Sequence, residues 1–289
     1  MADARVLVTG GSGFVGRQIV AALHALGADV IAPEMPRPDL LTPAARGDLL
    51  ARTRPDTLVH AAWVTANGAY WGSEANLKWV CATLDLIRVF RATGGRRCVL
   101  IGSCAEYDWS RATRTPWRET RACRPNSLYG ASKLATWTAL EAFARQSGLS
   151  AATARVFVPV GLHEAPGRLL PSLIRAARDG RDIATGPAGL TRDFTDVRDV
   201  GEAVARVALS AVQGPVNIGA GRPVSLGDLV RLVPDAARVA RLAGRPPRAG
   251  EPAWMVPDGN CLRSTTGFVP RFTPEATVAD ALAYWRAAG

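Results

Sequence analysis

Lysine is almost missing from this chain: Lys78 and Lys133 are the only two, and arginine supplies the rest of the 35 basic side chains. With abundant alanine, glycine and proline, that skew fits the codon bias of a GC-rich genome. The net charge of +10 therefore does not announce a nucleic-acid partner by itself. The arginines are scattered, without the block or stripe that a basic arm requires. A positive field also favours an anionic cofactor and a small anionic substrate. No uninterrupted apolar run of about 18 residues exists, which excludes a membrane-spanning helix of the usual kind. The opening MADARVLVT has no basic region, apolar stretch and cleavage site, so no secretory signal is expected and the cytoplasm is the expected location. The five cysteines, Cys81, Cys98, Cys104, Cys123 and Cys261, are odd in number and widely spaced, with no C-x-x-C pair. Neither a metal site nor a disulfide framework is signalled, and free thiols are expected. Internal repeats and low-complexity linkers are absent too.

What is present is a chain of 289 residues, 48% hydrophobic and 21% charged, long enough to bury a sizeable core. Short apolar runs alternate with amphipathic stretches. Strands are predicted at 5–9, 29–32, 57–61, 98–102 and 151–158, with helices at 14–26, 43–52, 76–93 and 128–147 between them. Such alternation implies right-handed crossovers and a parallel sheet. Beyond about residue 161 the rhythm loosens into Pro-, Gly- and Arg-rich segments around helices at 170–178, 200–211 and 277–287 and a strand at 216–218. The expected fold is α/β: a doubly wound Rossmann sheet over 1–160, joined by segments from about 190–220, and a smaller mixed C-terminal substrate-binding lobe over 161–289.

Thr9-Gly10-Gly11-Ser12-Gly13-Phe14-Val15-Gly16 joins the first strand to the first helix. Glycines at 10, 13 and 16 permit a tight turn, close approach of backbone to a pyrophosphate, and close helix–strand packing. The helix start adds free N–H groups and partial positive charge. This spacing at this junction points to NAD(P)(H) binding, with Ser12, Phe14 and Val15 beside the phosphates. Glu34, about twenty residues on, is placed to bind ribose hydroxyls, whereas Arg37 is placed to meet a 2′-phosphate, so NAD and NADP both stay open.

Tyr129 and Lys133 lie four apart at the start of a predicted helix, on one face and one turn apart. A free tyrosine, with a pKa of about 10, is a poor base at neutral pH. A neighbouring ammonium lowers that value, and is expected here to poise Tyr129 for proton transfer. Ser103 ends the preceding strand, where an open parallel sheet presents its ligands, and can bond the same reacting oxygen.

These motifs together resemble the extended short-chain dehydrogenase/reductases of the NAD-dependent epimerase/dehydratase family. TGxxGxxG opens that fold, Y-x-x-x-K carries proton transfer, and a Ser or Thr stands four residues before a tyrosine, as Ser103 stands before Tyr107. By the same resemblance Asp39, followed by Leu40, contacts adenine, Ala61 and Ala62 after His60 line the cofactor, and Asn76 approaches it. Arg192 in RDFTDVRDV implies a contact to substrate phosphates, and Asn217 in NIG a place beside the substrate. Trp63, Tyr70 and Trp71 follow the third strand as candidate walls of the substrate pocket, Cys104 adjoins Ser103, and His163 and Glu164 stand at the rim. The family also implies a nucleotide-sugar substrate and a homodimer built on the helices of Asn76 and Tyr129, with Leu84, Ile87 or Leu140 among the contacts.

Departures from the family narrow the reaction. Cys104 and Ala105 replace the Asp–Glu pair with which the 4,6-dehydratases eliminate water, and Val158 replaces a common substrate-binding asparagine. Only about five residues separate Glu34 from Asp39, too few for the helix usual there, a shortening that resembles the 4-keto-deoxysugar-nucleotide reductases. The expected activity is reduction of a nucleotide-linked 4-keto-6-deoxyhexose. The alternatives are an epimerase with retained NAD, and a non-catalytic regulator, against which the intact Ser103, Tyr129 and Lys133 weigh.

Overall fold

A computed structural model describes residues 4–33, 39–64, 68, 70–111, 113–244, 246 and 250–287. Glu34 and Arg37, expected at the ribose, lie outside the described residues. The first half alternates strictly: β1 (Arg5–Thr9), α1 (Phe14–Ala25), β2 (Asp29–Ile31), α2 (Pro43–Thr53), β3 (Thr57–His60), α3 (Ala75–Ala92), β4 (Arg97–Ser103), α4 (Leu128–Ser147) and β5 (Ser150–Val156). Then come β6 (Val158–Val160), α5 (Leu169–Asp179), β7 (Ile183–Ala184), β8 (Thr191–Arg192), β9 (Phe194–Asp196), α6 (Val197–Leu209) and β10 (Gly214–Ile218). The chain continues through β11 (Val224–Ser225), α7 (Leu226–Leu232), α8 (Ala236–Val239), β12 (Ala240–Arg241), β13 (Trp254–Met255), α9 (Asn260–Thr266) and α10 (Pro274–Ala287).

Six strands form one parallel sheet in the order β10-β5-β4-β3-β1-β2. The order reverses between β1 and β3, and a crevice opens at the strand C-termini there. Side chains of β1 alternate between the two faces. Val6 and Val8 pack with Ile19 and Leu23 of α1 and Val200 and Val204 of α6. Leu7 faces the other way, onto Leu50 of α2, Leu86 and Phe90 of α3 and Leu140 of α4. A third core, with Leu170 and Leu173 of α5, Leu229 of α7 and Val278 of α10, holds the lobe. Among the described residues no helix is long and apolar enough to cross a membrane.

Three expectations need correction. The strand predicted over 151–158 leaves the main sheet after Val156, and β6 pairs instead with β9. Pro159 sits in β6 and lacks the N–H that a central ladder needs. Ile87 and Leu140 cannot meet a partner chain, because both are buried in the core between helices and sheet. The last helix begins earlier than predicted, at Pro274, which is pre-shaped for a first helical turn.

Candidate active site

The crevice opens into a cavity of about 890 Å³ that runs from the glycine turn to the lobe. At one end Gly10 turns at φ +72°, and a Cβ there would stand 2.6 Å from the Ala62 amide nitrogen. The Gly13 amide donates to the Gly10 carbonyl at 2.9 Å, and a Cβ on Gly16 would stand 2.0 Å from that same oxygen. Only glycine fits at positions 10 and 16. Gly13 caps α1 without a side-chain bond, so the first amides of the helix stay free to meet phosphate oxygens. Gly10, Ser12, Gly13, Phe14, Val15 and Gly16 all line this end, as do Asp39, Leu40, Ala61 and Ala62. The cradle fits the diphosphate and adenosine of a dinucleotide. Asp39 also closes its own turn, accepting from the Leu41 amide and the Thr42 hydroxyl at 3.0 Å each. His60 stays below the cavity floor between Thr9 and Thr83, at 2.7 and 2.9 Å. Burial, then the charge of Lys133, pulls its pKa down to about 3, so it is neutral.

Ser103, Tyr129 and Lys133 meet in the middle of the cavity wall. Strand β4 ends at Ser103, whose hydroxyl oxygen caps a 3₁₀ turn at Cys104–Glu106 by accepting from the Ala105 amide at 3.1 Å. Helix α4 starts against this turn, where a Cβ on Gly130 would stand 2.3 Å from the Ala105 carbonyl oxygen. That contact sets Tyr129 beside Ser103 on the cavity wall. Tyr70 and Trp71 close around the phenol edge-on, at 4.9 and 5.6 Å between ring centres. Burial, then Tyr70, pushes the Tyr129 pKa well above the ordinary tyrosine value, with Ser103 pulling against it. The lowering expected from the neighbouring ammonium is therefore outweighed by burial, and Tyr129 rests as a proton donor.

Burial also pulls the Lys133 pKa down to about 7, with Glu106 opposing. Its Nζ donates to the Ile101 carbonyl at 2.9 Å and lies 3.9 Å from the Trp63 ring centre. Trp63 in turn donates to Asn76 at 2.9 Å. Asn76, expected at the cofactor, is fully buried and bonds the Tyr70 and Ser73 carbonyls at 2.7 and 2.8 Å, so it braces Trp63 from behind the wall. Asn217, expected at the substrate, is fully buried as well. It accepts from the Tyr107 hydroxyl at 2.6 Å and donates to the Trp117 carbonyl at 2.7 Å, which leaves its amide no reach into the cavity. Both expectations came from motif position alone, which does not say which way a side chain is packed.

The far end belongs to the lobe. Arg192 lines the cavity, but its guanidinium is ion-paired with Glu251 at 2.9 Å. Cys104 lines it too, with a thiol pushed up to about 12 by burial and therefore inert. His163 turns away at φ +64° and meets the Tyr284 hydroxyl at 3.2 Å, whereas Glu164 is buried and faces the cavity. Trp63, Tyr70 and Trp71 do line it. Sequence reasoning missed Arg168, Glu251 and Glu106. Glu106 is fully buried and ion-paired with Arg155 at 2.8 Å. A charged residue inside the otherwise small, apolar GSCAEY segment was its one signal.

Comparison with known proteins identifies the family. Residues 6–219 match the model of the NAD dependent epimerase/dehydratase family. A dTDP-6-deoxy-L-talose 4-dehydrogenase (NAD(P)(+)) of Kitasatospora kifunensis is 32% identical over 263 residues, spanning 82% of this chain and 80% of the relative. A UDP-glucose 4-epimerase of Erwinia amylovora is 27% identical over 282 residues, spanning 80% and 82%. The structure of RMD from Pseudomonas aeruginosa complexed with NADPH superposes with a TM-score of 0.86 at 25% identity, over 99% of this chain and 100% of that one. By sequence match and by fold, this chain belongs to the NAD dependent epimerase/dehydratase family.

Proposed function

We propose that the chain is an NAD(P)H-dependent reductase of a nucleotide-linked 4-keto-6-deoxyhexose, acting through Ser103, Tyr129 and Lys133. The observation that carries this reading is the joint placement of Ser103, Tyr129 and Lys133 on the wall of the cavity that the glycine turn opens, with no acidic pair at Cys104 and Ala105 for elimination. The glycine turn, Asp39 and Leu40 would hold the dinucleotide, with Tyr129 and Lys133 at its nicotinamide ribose. When bound, the nicotinamide supplies a hydride to a carbon that bears oxygen. Tyr129 gives its proton to that oxygen, and the Ser103 hydroxyl holds the oxygen in line. Lys133 stands one helical turn from Tyr129 and orients what binds above it.

The lobe supports a nucleotide-linked substrate. Arg192 offers a charge-assisted partner for a diphosphate, which must exchange with Glu251 to reach it. Trp63, Ser103 and Cys104 would line the sugar. The relative from Kitasatospora kifunensis is named for oxidation at C4 of a deoxysugar nucleotide, the reverse of the reduction proposed here. We place the enzyme in the cytoplasm as a twofold dimer through the outer faces of α3 and α4.

Purified protein given a nucleoside-diphosphate-4-keto-6-deoxyhexose should oxidise NADPH or NADH one for one. Tyr129→Phe should keep cofactor binding and lower turnover by roughly 10²–10⁴. A sugar-nucleotide isomer formed without net cofactor consumption would establish an epimerase instead. Binding without turnover across a broad substrate panel would establish the regulator.

A further inference from the structure

Glu106 is fully buried against the Ser103 backbone, and occupies an unspecified position between Ser103 and Tyr107 of the motif that marks them. Its two oxygens are divided between two tasks. One accepts from the Ser103 backbone N–H at 2.8 Å, and the other from Nε of Arg155 at 2.8 Å. With the Ser103 hydroxyl accepting from the Ala105 amide, the first bond completes a reciprocal capping box. Gly102 leaves room for it, since a Cβ there would stand 2.6 Å from the same carboxylate oxygen. Burial pushes the Glu106 carboxyl up, with Arg155 and the Ser103 amide pulling it back. Both oxygens face N–H donors, which is the arrangement of the ionised form, because a neutral acid would need an acceptor for its own proton. Behind Glu106, Arg155 donates to the Tyr107 hydroxyl at 3.2 Å, and Tyr107 donates to Asn217. The carboxylate is thus held from behind by a chain of buried bonds and touches Ser103 in front.

Lys133 forms no ion pair among the described residues. Its ammonium faces the Ile101 carbonyl, the Trp63 and Tyr129 rings and the neutral His60. Lys133 bonds the Ile101 carbonyl and Glu106 bonds the Ser103 amide two residues further along β4, so Glu106 is the negative charge acting on the ammonium. Arg155, Tyr107, Cys104, Cys123 and Tyr129 are the titratable groups around Glu106.

We propose that Glu106 is the positioning residue of this site: one buried carboxylate that fixes Ser103 through its backbone and provides the countercharge of Lys133. The proposal rests on Ser103, Tyr129 and Lys133 being the reactive group. Acting through Ser103 and Lys133, Glu106 never touches substrate. Removing its charge lowers the pH at which Lys133 loses its proton, because an ammonium without an opposite charge nearby is less favoured.

The two-lysine composition makes a direct test simple. Selective ¹³C-lysine labelling gives two side-chain Cε signals, from exposed Lys78 and buried Lys133. In the wild type Lys133 should titrate near 7. In Glu106→Gln its midpoint should fall by about one unit or more. The pH profile of kcat should move down with it. Should Glu106→Gln not fold, the pair is removed together as Glu106→Met with Arg155→Met, the apolar exchange that buried ion pairs often tolerate, and is read against Arg155→Met so that the lost arginine charge is common to both. A Lys133 midpoint at or above that of the reference protein in whichever variant folds overturns the proposal, and so does failure of both to fold, which would make Glu106 a folding residue. The titration needs no substrate, so an error in the proposed reaction leaves its outcome readable.

Discussion

Glu164 shows how one side chain carries a cost for facing the cavity. Burial pushes its carboxyl up to about 8 from an ordinary 4.5, with Arg168 and the Gly161 amide pulling the other way. The folded protein therefore keeps a proton that the unfolded chain releases above 4.5. Stability should fall as pH rises from about 4.5 to about 8 and level off beyond. Glu164→Gln cannot ionise and escapes this loss. Chemical denaturation should find variant and wild type equally stable near pH 4, and the variant more stable at pH 9. A wild type that is the more stable of the two at pH 9 would sink this account. At this scale the sequence was legible where chemistry is local. Tyr129 and Lys133 are one helical turn apart, so their spacing alone put them on a common face. It was silent where partners are distant: 49 residues separate Glu106 from Arg155, and 59 separate Arg192 from Glu251. The same silence misplaced the Tyr129 pKa, because Tyr70 and Trp71, which bury the phenol, come from a loop that spacing rules do not reach.

Helix α4 is the element on which the site depends, and Gly130 sets its seat. Ser127 caps the helix by accepting from the Gly130 amide at 3.1 Å, and the missing Cβ lets the first turn touch the Ala105 carbonyl. Gly130→Ala should force the two apart. Overpacking of this kind costs about 1–3 kcal/mol of stability. It should also move the phenol away from Ser103, and a displacement of about 1 Å can cost as much as 10²-fold in rate. Thermal melts and kcat measured side by side check this, and unchanged values for both would show that the helix is not seated by this contact. Other element boundaries followed local rules. Gly148 and Gly180 end α4 and α5 in the left-handed conformation that helix ends favour. The two-residue strands of the lobe escaped sequence reading because segments that short carry no periodicity.

At the scale of the whole molecule, the outer face of α3 is where a second copy would dock. Leu77 is 54% exposed and Cys81 is exposed, with half-buried Leu84 on the same stripe. Ala135 and Thr138 of α4 are exposed beside it. The dimer proposed here predicts a light-scattering mass of twice the 30.6 kDa chain at micromolar concentration, falling on Leu77→Glu. A mass near that of one chain for the wild type would remove it. Arginine in place of lysine is not idle in this setting, since Arg46, Arg97 and Arg155 are all buried and make two or more side-chain hydrogen bonds each.

The sequence by itself determined the parallel sheet, the glycine turn and the Tyr129–Lys133 pair. Each is written in short-range periodicity or spacing, and each obeys steric rules that act within a few residues. Tertiary structure alone decided the rest. It set Asn76 and Asn217 behind the cavity wall, matched Arg192 with Glu251, and buried a carboxylate under Ser103. Those outcomes depend on which surfaces meet when the lobe closes over the sheet. Such meetings are settled by the packing of residues far apart along the chain, where burial fixes both the direction of a side chain and the charge it can carry.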